Sequence, residues 1–155
     1  MTLTSISASG SSDMPKIKID SSNNAVAVWE SFDGSIYSIQ ASKKTNGADW
    51  TAPQTISKTG RDSVLPSIAM DSKGNVVAIW MSFDKDHGIN FIESAILPTE
   101  GVWSSANIIS SPTENPMSDY QVAINDNGTF MITWGSYVGL SSNSEIRVAT
   151  GLITD

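Results

Sequence analysis

Polar and apolar positions alternate along this chain in short bursts of period two, and no segment keeps a helical period. From Pro15 to Asp20, Ile17 and Ile19 fall on one side, and Lys16 and Lys18 on the other. The stretches Pro66 to Asp71 (Ile68, Met70) and Tyr120 to Asn125 (Val122, Ile124) repeat the pattern. Side chains of an extended strand point alternately to two faces, so each stretch predicts a strand. Each ends in a run of Asp, Ser, Asn and Gly, residues that turn a chain by accepting positive φ or by bonding their own backbone. A second strand follows at once, which makes each pair a hairpin. That second strand is apolar on both faces in Ala25–Trp29, Val76–Trp80 and Phe130–Trp134. A strand apolar on both faces has something packed against each.

The hairpins are copies of one unit. Asp20, Asp71 and Asn125 stand 51 and then 54 residues apart, and each precedes a tryptophan (Trp29, Trp80, Trp134) by the same interval. A third strand is predicted over 35–42, 89–97 and 145–152. A fourth is predicted over Trp50–Ser57 and again over Trp103–Ser110, where Pro53 suits a sheet edge. Four-stranded meanders that repeat at this period and stack on both faces describe the blades of a β-propeller. The expected fold is therefore all-β, with three blades in one domain. Residues 1–14 form an outer strand and link, 15–57 blade one, 66–110 blade two, and 120–155 a third blade without its outer strand.

The N-terminus holds the spare part. Leu3–Gly10 reads like Gln54–Gly60, so the chain begins with an outer strand and ends lacking one. Three blades do not close a ring, since propellers have about four to eight. The expectation is a two-fold homodimer of six blades. In it, residues 2–7 of each chain exchange onto the third blade of the other by strand addition.

The run Pro-x-Ile-x-x-Asp-x-x-Gly-Asn-Val-Val-Ala-Ile-Trp at 66–80, with a later Gly…Trp-Ser/Thr-x-Pro/Ala-x-x-Ile-Ser tail, resembles the sialidase-type (BNR-like) propeller repeats of bacterial surface and secreted proteins. The resemblance covers about residues 15 to 153. The Asp-box of that family, Ser-x-Asp-x-Gly-x-x-Trp, is degenerate. Lys43–Trp50 keeps Gly47 and Trp50, and the next copy keeps Gly101 and Trp103. Sialidases hold their substrate's carboxylate with three arginines, whereas this chain has only Arg61 and Arg147. The resemblance thus implies the fold and not the catalysis.

Composition narrows the partners. The 155 residues are 16% charged and carry a net −7, which disfavours nucleic acid and anionic membranes, both of which need clustered Lys and Arg. Cysteine is absent, so disulfides and thiolate chemistry are excluded. Met1–Ile6 lacks the basic start and long apolar centre of a signal peptide. The abundance of Ser, Thr and Asn suits a piece of a secreted or surface bacterial protein.

Candidate chemistry gathers where the second-to-third-strand loops and the inter-blade links share a rim. Asp33, Asp84, Asp86 and His87 lie in those loops, with Arg61 in a link and Tyr137 at the third loop. These six are the candidate ligand-binding residues, weighed against solvated turns that Asp and Gly form unaided. No catalytic set, metal site or cofactor is expected: His87 is the sole histidine, and no Gly-x-Ser-x-Gly elbow occurs. Asp20, Asp71, Asn125 and Asp126 read as hairpin turns, and the three repeated tryptophans as inter-blade packing. The expected function is a non-enzymatic module that binds carbohydrate or protein on its rim. The alternatives are a self-assembling structural fragment, or a glycosidase using Asp33 or Asp84 as one of its two carboxylates.

Overall fold

The structure, a computed structural model, describes residues 3–8, 10–99, 101–137 and 143–154. Those residues form twelve strands in three four-stranded antiparallel sheets, with no helix among them. Sheet one runs β1 (Ser11–Ile19), β2 (Ala25–Phe32), β3 (Tyr37–Lys44), β4 (Gln54–Thr55). Sheet two repeats it as β5 (Asp62–Met70), β6 (Val76–Asp84), β7 (Ile89–Leu97), β8 (Asn107–Ile108). In sheet three, β9 (Asn115–Pro116) and β10 (Gln121–Ile124) both pair with β11 (Thr129–Tyr137), which pairs with β12 (Ser144–Leu152).

Two details differ from the alternation pattern. The inner strands begin at Ser11 and Asp62, so Pro15 and Pro66 sit inside them rather than at their start. Proline has no N–H to give a ladder, and here the ladder shifts register around it, between Asp13 and Lys16 and between Val64 and Ser67. Met14 and Leu65, each just before the proline, take left-handed φ values of 50° and 56°. In sheet three the same strand breaks into β9 and β10.

The outer strands are also shorter than the eight-residue runs predicted for them. Only Gln54–Thr55 and Asn107–Ile108 are ladder-paired. Hydroxyls take over much of the remaining edge. The Thr51 Oγ1 accepts the Lys43 N–H, and the Ser104 Oγ accepts that of Ile96. The predicted N-terminal strand is not formed in the single chain: residues 3–8 belong to no sheet, and Thr2 lies outside the described residues.

The middle sheet is buried on both faces, as its sequence requires. Toward sheet one, Val76, Ala78 and Trp80 meet Val26, Val28, Ile39 and Ala41. Toward sheet three, Val77, Ile79 and Ile92 meet Tyr120, Phe130, Ile132 and Trp134. Trp80, Val77, Ile79 and Ile92 are fully buried, and each such aliphatic side chain contributes about 1.5–3 kcal/mol. Trp29 and Trp134 are also buried; Trp80 and Trp134 pack between sheets, whereas Trp29 lies beside Ser5–Ser7 on the outer face of sheet one.

The hairpin turns at the far end are built alike. The Asp20 Oδ1 accepts the N–H groups of Ser22 and Asn24, Asp71 serves Lys73 and Asn75, and Asn125 serves Asn127 and Thr129. Neighbouring turns are tied together by Ser21 to the Ser72 carbonyl, and by the Ser72 N–H to Asp126.

Candidate loop-rim site

The β2–β3 and β6–β7 connections emerge at the opposite end from those turns, together with the β4–β5 link. An aromatic ring recurs there. Phe32, Phe83 and Tyr137 lie opposite Ser11, Asp62 and Asn115 of the inner strands, three equivalent places. Phe83 and Tyr137 are 36% and 42% exposed. Phe32 stacks on Tyr37, with ring centres 4.6 Å apart.

Arg61 organises the polar part. One guanidinium nitrogen lies 3.1 Å from the Glu93 Oε1 and another 3.6 Å from the Asp84 Oδ2. The guanidinium also sits 5.2 Å from the centre of the Phe91 ring. Glu93 is only 1% exposed, yet its charge is met. Its Oε2 accepts from the Ser82 hydroxyl at 2.6 Å and from the Trp80 Nε1 at 3.2 Å. The Ser63 hydroxyl lies 2.9 Å from that of Ser82. A carboxylate held this way orients the arginine.

The other rim acids are engaged as well. Burial pushes the Asp84 carboxyl up, but the His87 hydrogen bond and the backbone N–H groups of His87 and Asp86 hold it below the ordinary carboxylate value. The His87 Nδ1 is 3.2 Å from the Asp84 Oδ2. Asp33 is held low by the N–H groups of Ile36 and Ser35 in its own turn. Asp62 accepts the Tyr37 N–H and pairs with Lys85 at 2.9 Å, and it too is lowered. These last two contacts clamp the first loop to the inner strand of sheet two and to the second loop.

Of the six residues expected from sequence, Arg61, Asp84 and His87 come together. Asp86 lends its backbone N–H to Asp84. Asp33 stands apart, closed on its own turn. Tyr137 belongs to sheet three, beside residues 138–142, which lie outside the described set. Sequence reasoning missed Glu93, Ser63, Ser82, Phe91 and the aromatic pair Phe32 and Tyr37. The aromatic position was visible: Phe32, Phe83 and Tyr137 each follow their repeated tryptophan by three residues. Glu93 was not, because its role depends on the β6–β7 register that sets it opposite Trp80.

A depression of about 430 Å³ lies away from the rim, between the outer strands, along Gln54–Thr59 and Trp103–Ala106. Its walls carry Lys58 but no acid. A smaller hollow of about 210 Å³ lies where the inner strands converge, lined by Met14, Leu65, Pro66, Ser118, Tyr120 and Gln121. The strained Leu65 is pinned there. Its N–H donates to the Glu30 Oε1 at 2.6 Å, and its carbonyl accepts from the Tyr120 hydroxyl. Burial pushes the Tyr120 phenol above its ordinary range. Among the described residues no cluster of His, Asp or Glu is arranged to hold a metal ion.

No protein-family model matches the chain, and no curated protein matches it. Among solved structures it is similar to an endo-arabinase from Bacteroides thetaiotaomicron VPI-5482, a propeller-type structure. The identity is 16% and the TM-score 0.57, over 98% of this chain and 60% of that one. At that identity the likeness carries the fold. The chain spans three fifths of its neighbour's length.

Proposed function

We propose that the chain is a propeller-type binding module whose ligand, a carbohydrate or a protein surface, lies on the loop rim. The observation that supports this reading is an aromatic at the same rim position in each sheet, exposed as Phe83 and Tyr137 and half-buried as Phe32. Phe32, Phe83 and Tyr137 stand beside polar loops, an arrangement suited to stacking on sugar rings or anchoring a protein partner. The rim carboxylates are engaged by turns, Arg61, His87 and Lys85, which suits binding better than acid–base catalysis. The resemblance to sialidase-type repeats favours a glycan as the first ligand to test. A glycan array with a parallel pull-down tests the reading. Binding is expected to weaken about tenfold or more in Phe83→Ala, with the far-UV spectrum unchanged. Silence of the intact protein in both assays removes the proposal.

A hydrolase is the second reading, and the endo-arabinase neighbour favours it. Asp33 and Asp84 would then be the carboxylates in play. Turnover of arabinan or of chromogenic glycosides that disappears in Asp84→Asn would establish it in place of the first.

A further inference from the structure

The outer strands are fastened by one device used twice. In sheet one the Ile56 N–H donates to the Ile39 carbonyl, and the Ser57 hydroxyl accepts the Ile39 N–H at 2.9 Å. In sheet two the Ile109 N–H donates to the Ile92 carbonyl, and the Ser110 hydroxyl accepts the Ile92 N–H at 3.0 Å. An Ile-Ser dipeptide thus clips both outward backbone groups of one residue in the third strand. The register carries that residue to Ile146 in sheet three. Ile92 lies opposite Met81, and Ile146 lies opposite Gly135, the matching place. Among the described residues nothing pairs with the outer edge of β12. One further Ile-Ser dipeptide of this chain stands just ahead of an inner strand: Ile6-Ser7, before β1.

The two end faces of the chain fit the same scheme. Ile17 is 61% exposed, while Ile68, in its place on sheet two, is 6% exposed against sheet one. Ile146 is 74% exposed, while Ile92 is fully buried against sheet three. With Ile19 on one end and Met131, Val148 and Leu152 on the other, the ends are the two unlike halves of the interface already formed twice inside the chain. Halves of that kind mate with each other and not with themselves.

We propose that Ile6-Ser7 of one copy clips onto Ile146 of a second copy, and reciprocally. The β1–β2 face of each chain is then seated on the β11–β12 face of the other, and a ring of six sheets closes. The occupant is a second copy because a chain's own clip is on the wrong side. Ser5, Ile6 and Ser7 lie against Ala27 and Trp29, on the face of sheet one turned away from sheets two and three. The proposal is independent of the rim reading.

Light scattering on the eluted protein is expected to give twice the 16.5 kDa of one chain; the mass of a single chain overturns the proposal. The register sets Thr4 opposite Val148, as Gln54 lies opposite Ala41 and Asn107 opposite Ser94. The chain has no cysteine of its own. Oxidation of the double variant Thr4→Cys, Val148→Cys is therefore expected to link two chains on a non-reducing gel. A chain linked only to itself, or not linked, counts against strand exchange. Ile6 lies outside any sheet, so Ile6→Asp should leave the far-UV spectrum intact and convert dimer to monomer. A dimer that survives this change shows that the clip does not hold it.

Discussion

One position beside each repeated tryptophan decides how its junction is wired. The residues opposite Trp29, Trp80 and Trp134 are Gln40, Glu93 and Arg147. The link residues that lie beside them, read from the inner-strand register, are Gly10, Arg61 and Glu114. Sheet two therefore uses Arg61 with Glu93, and sheet three inverts the pair as Glu114 with Arg147, 3.5 Å apart. Sheet one carries no charge there, and among the described residues the buried Trp29 Nε1 and Gln40 Oε1 find no hydrogen-bond partner. Glu93→Gln removes the charge that Arg61 and Trp80 address, and should cost about 2 kcal/mol because Arg61 still reaches some solvent. Arg61→Glu alone should cost a similar amount, by setting two carboxylates together. The exchange Arg61→Glu with Glu93→Arg should recover about half of either loss, since sheet three already uses that order. Urea midpoints of the four proteins measure the coupling, and a double variant less stable than both singles would rule the inversion out as equivalent wiring. None of this wiring was legible in the sequence, where Arg61 and Glu93 stand 32 residues apart. Arg61 and Asp84 stood out only as charges near loops.

At the scale of the strand, legibility followed the side chains. The centres of β2, β6 and β11 were plain because apolar residues fill both faces, and β7 was readable to the residue. The edges were not plain, because backbone bonds are shared there with hydroxyls and a proline. Pro15 and Pro66 looked like strand starts, yet the bulges carry the chain past them. The same hydroxyls give a test. Ser57→Ala takes away the acceptor for a buried N–H at Ile39, and should cost about 1–2 kcal/mol. Hydrogen exchange at the Ile39 amide should quicken while the Val28 amide, inside the ladder of β2, keeps its protection. Equal loss at both sites would mean the hydroxyl does not act locally.

For the molecule as a whole, the acids set the response to pH. Burial raises Asp20, but the Asn24 side chain and the N–H groups of Asn24 and Ser22 bring it below 3.8. Asp33, Asp62, Asp84 and Asp126 are lowered as well, chiefly by hydrogen bonds to their carboxylates. Below pH 3.8 the unfolded chain binds more protons at these sites than the folded one. Their contribution is therefore complete above that pH and is lost as pH falls through the lower folded values. Urea melts should show stability level from pH 7 to 5 and falling below about pH 4. Asp20→Asn copies the residue that Asn125 already supplies in sheet three, and should flatten part of that fall. An unchanged acid limb in this variant would place the titration elsewhere. The threefold layout, the all-β class and the two-sided burial of the middle sheet were readable from the repeat alone. The grouping of charges at the rim was not, since it depends on the strand register within sheet two.

The inverted charge pair bears on assembly order. Strands cut from one template have interchangeable apolar sides, and a folding chain can pair an inner strand, with its link, onto the wrong sheet. Seating the Glu114 link beside sheet two would set it against the buried Glu93. Seating the Arg61 link beside sheet three would set it against Arg147. Each wrong docking confronts like charges, and each right one joins opposites. The pair works as an address label that the apolar faces cannot provide, and the Gly10–Gln40 junction carries no label at all.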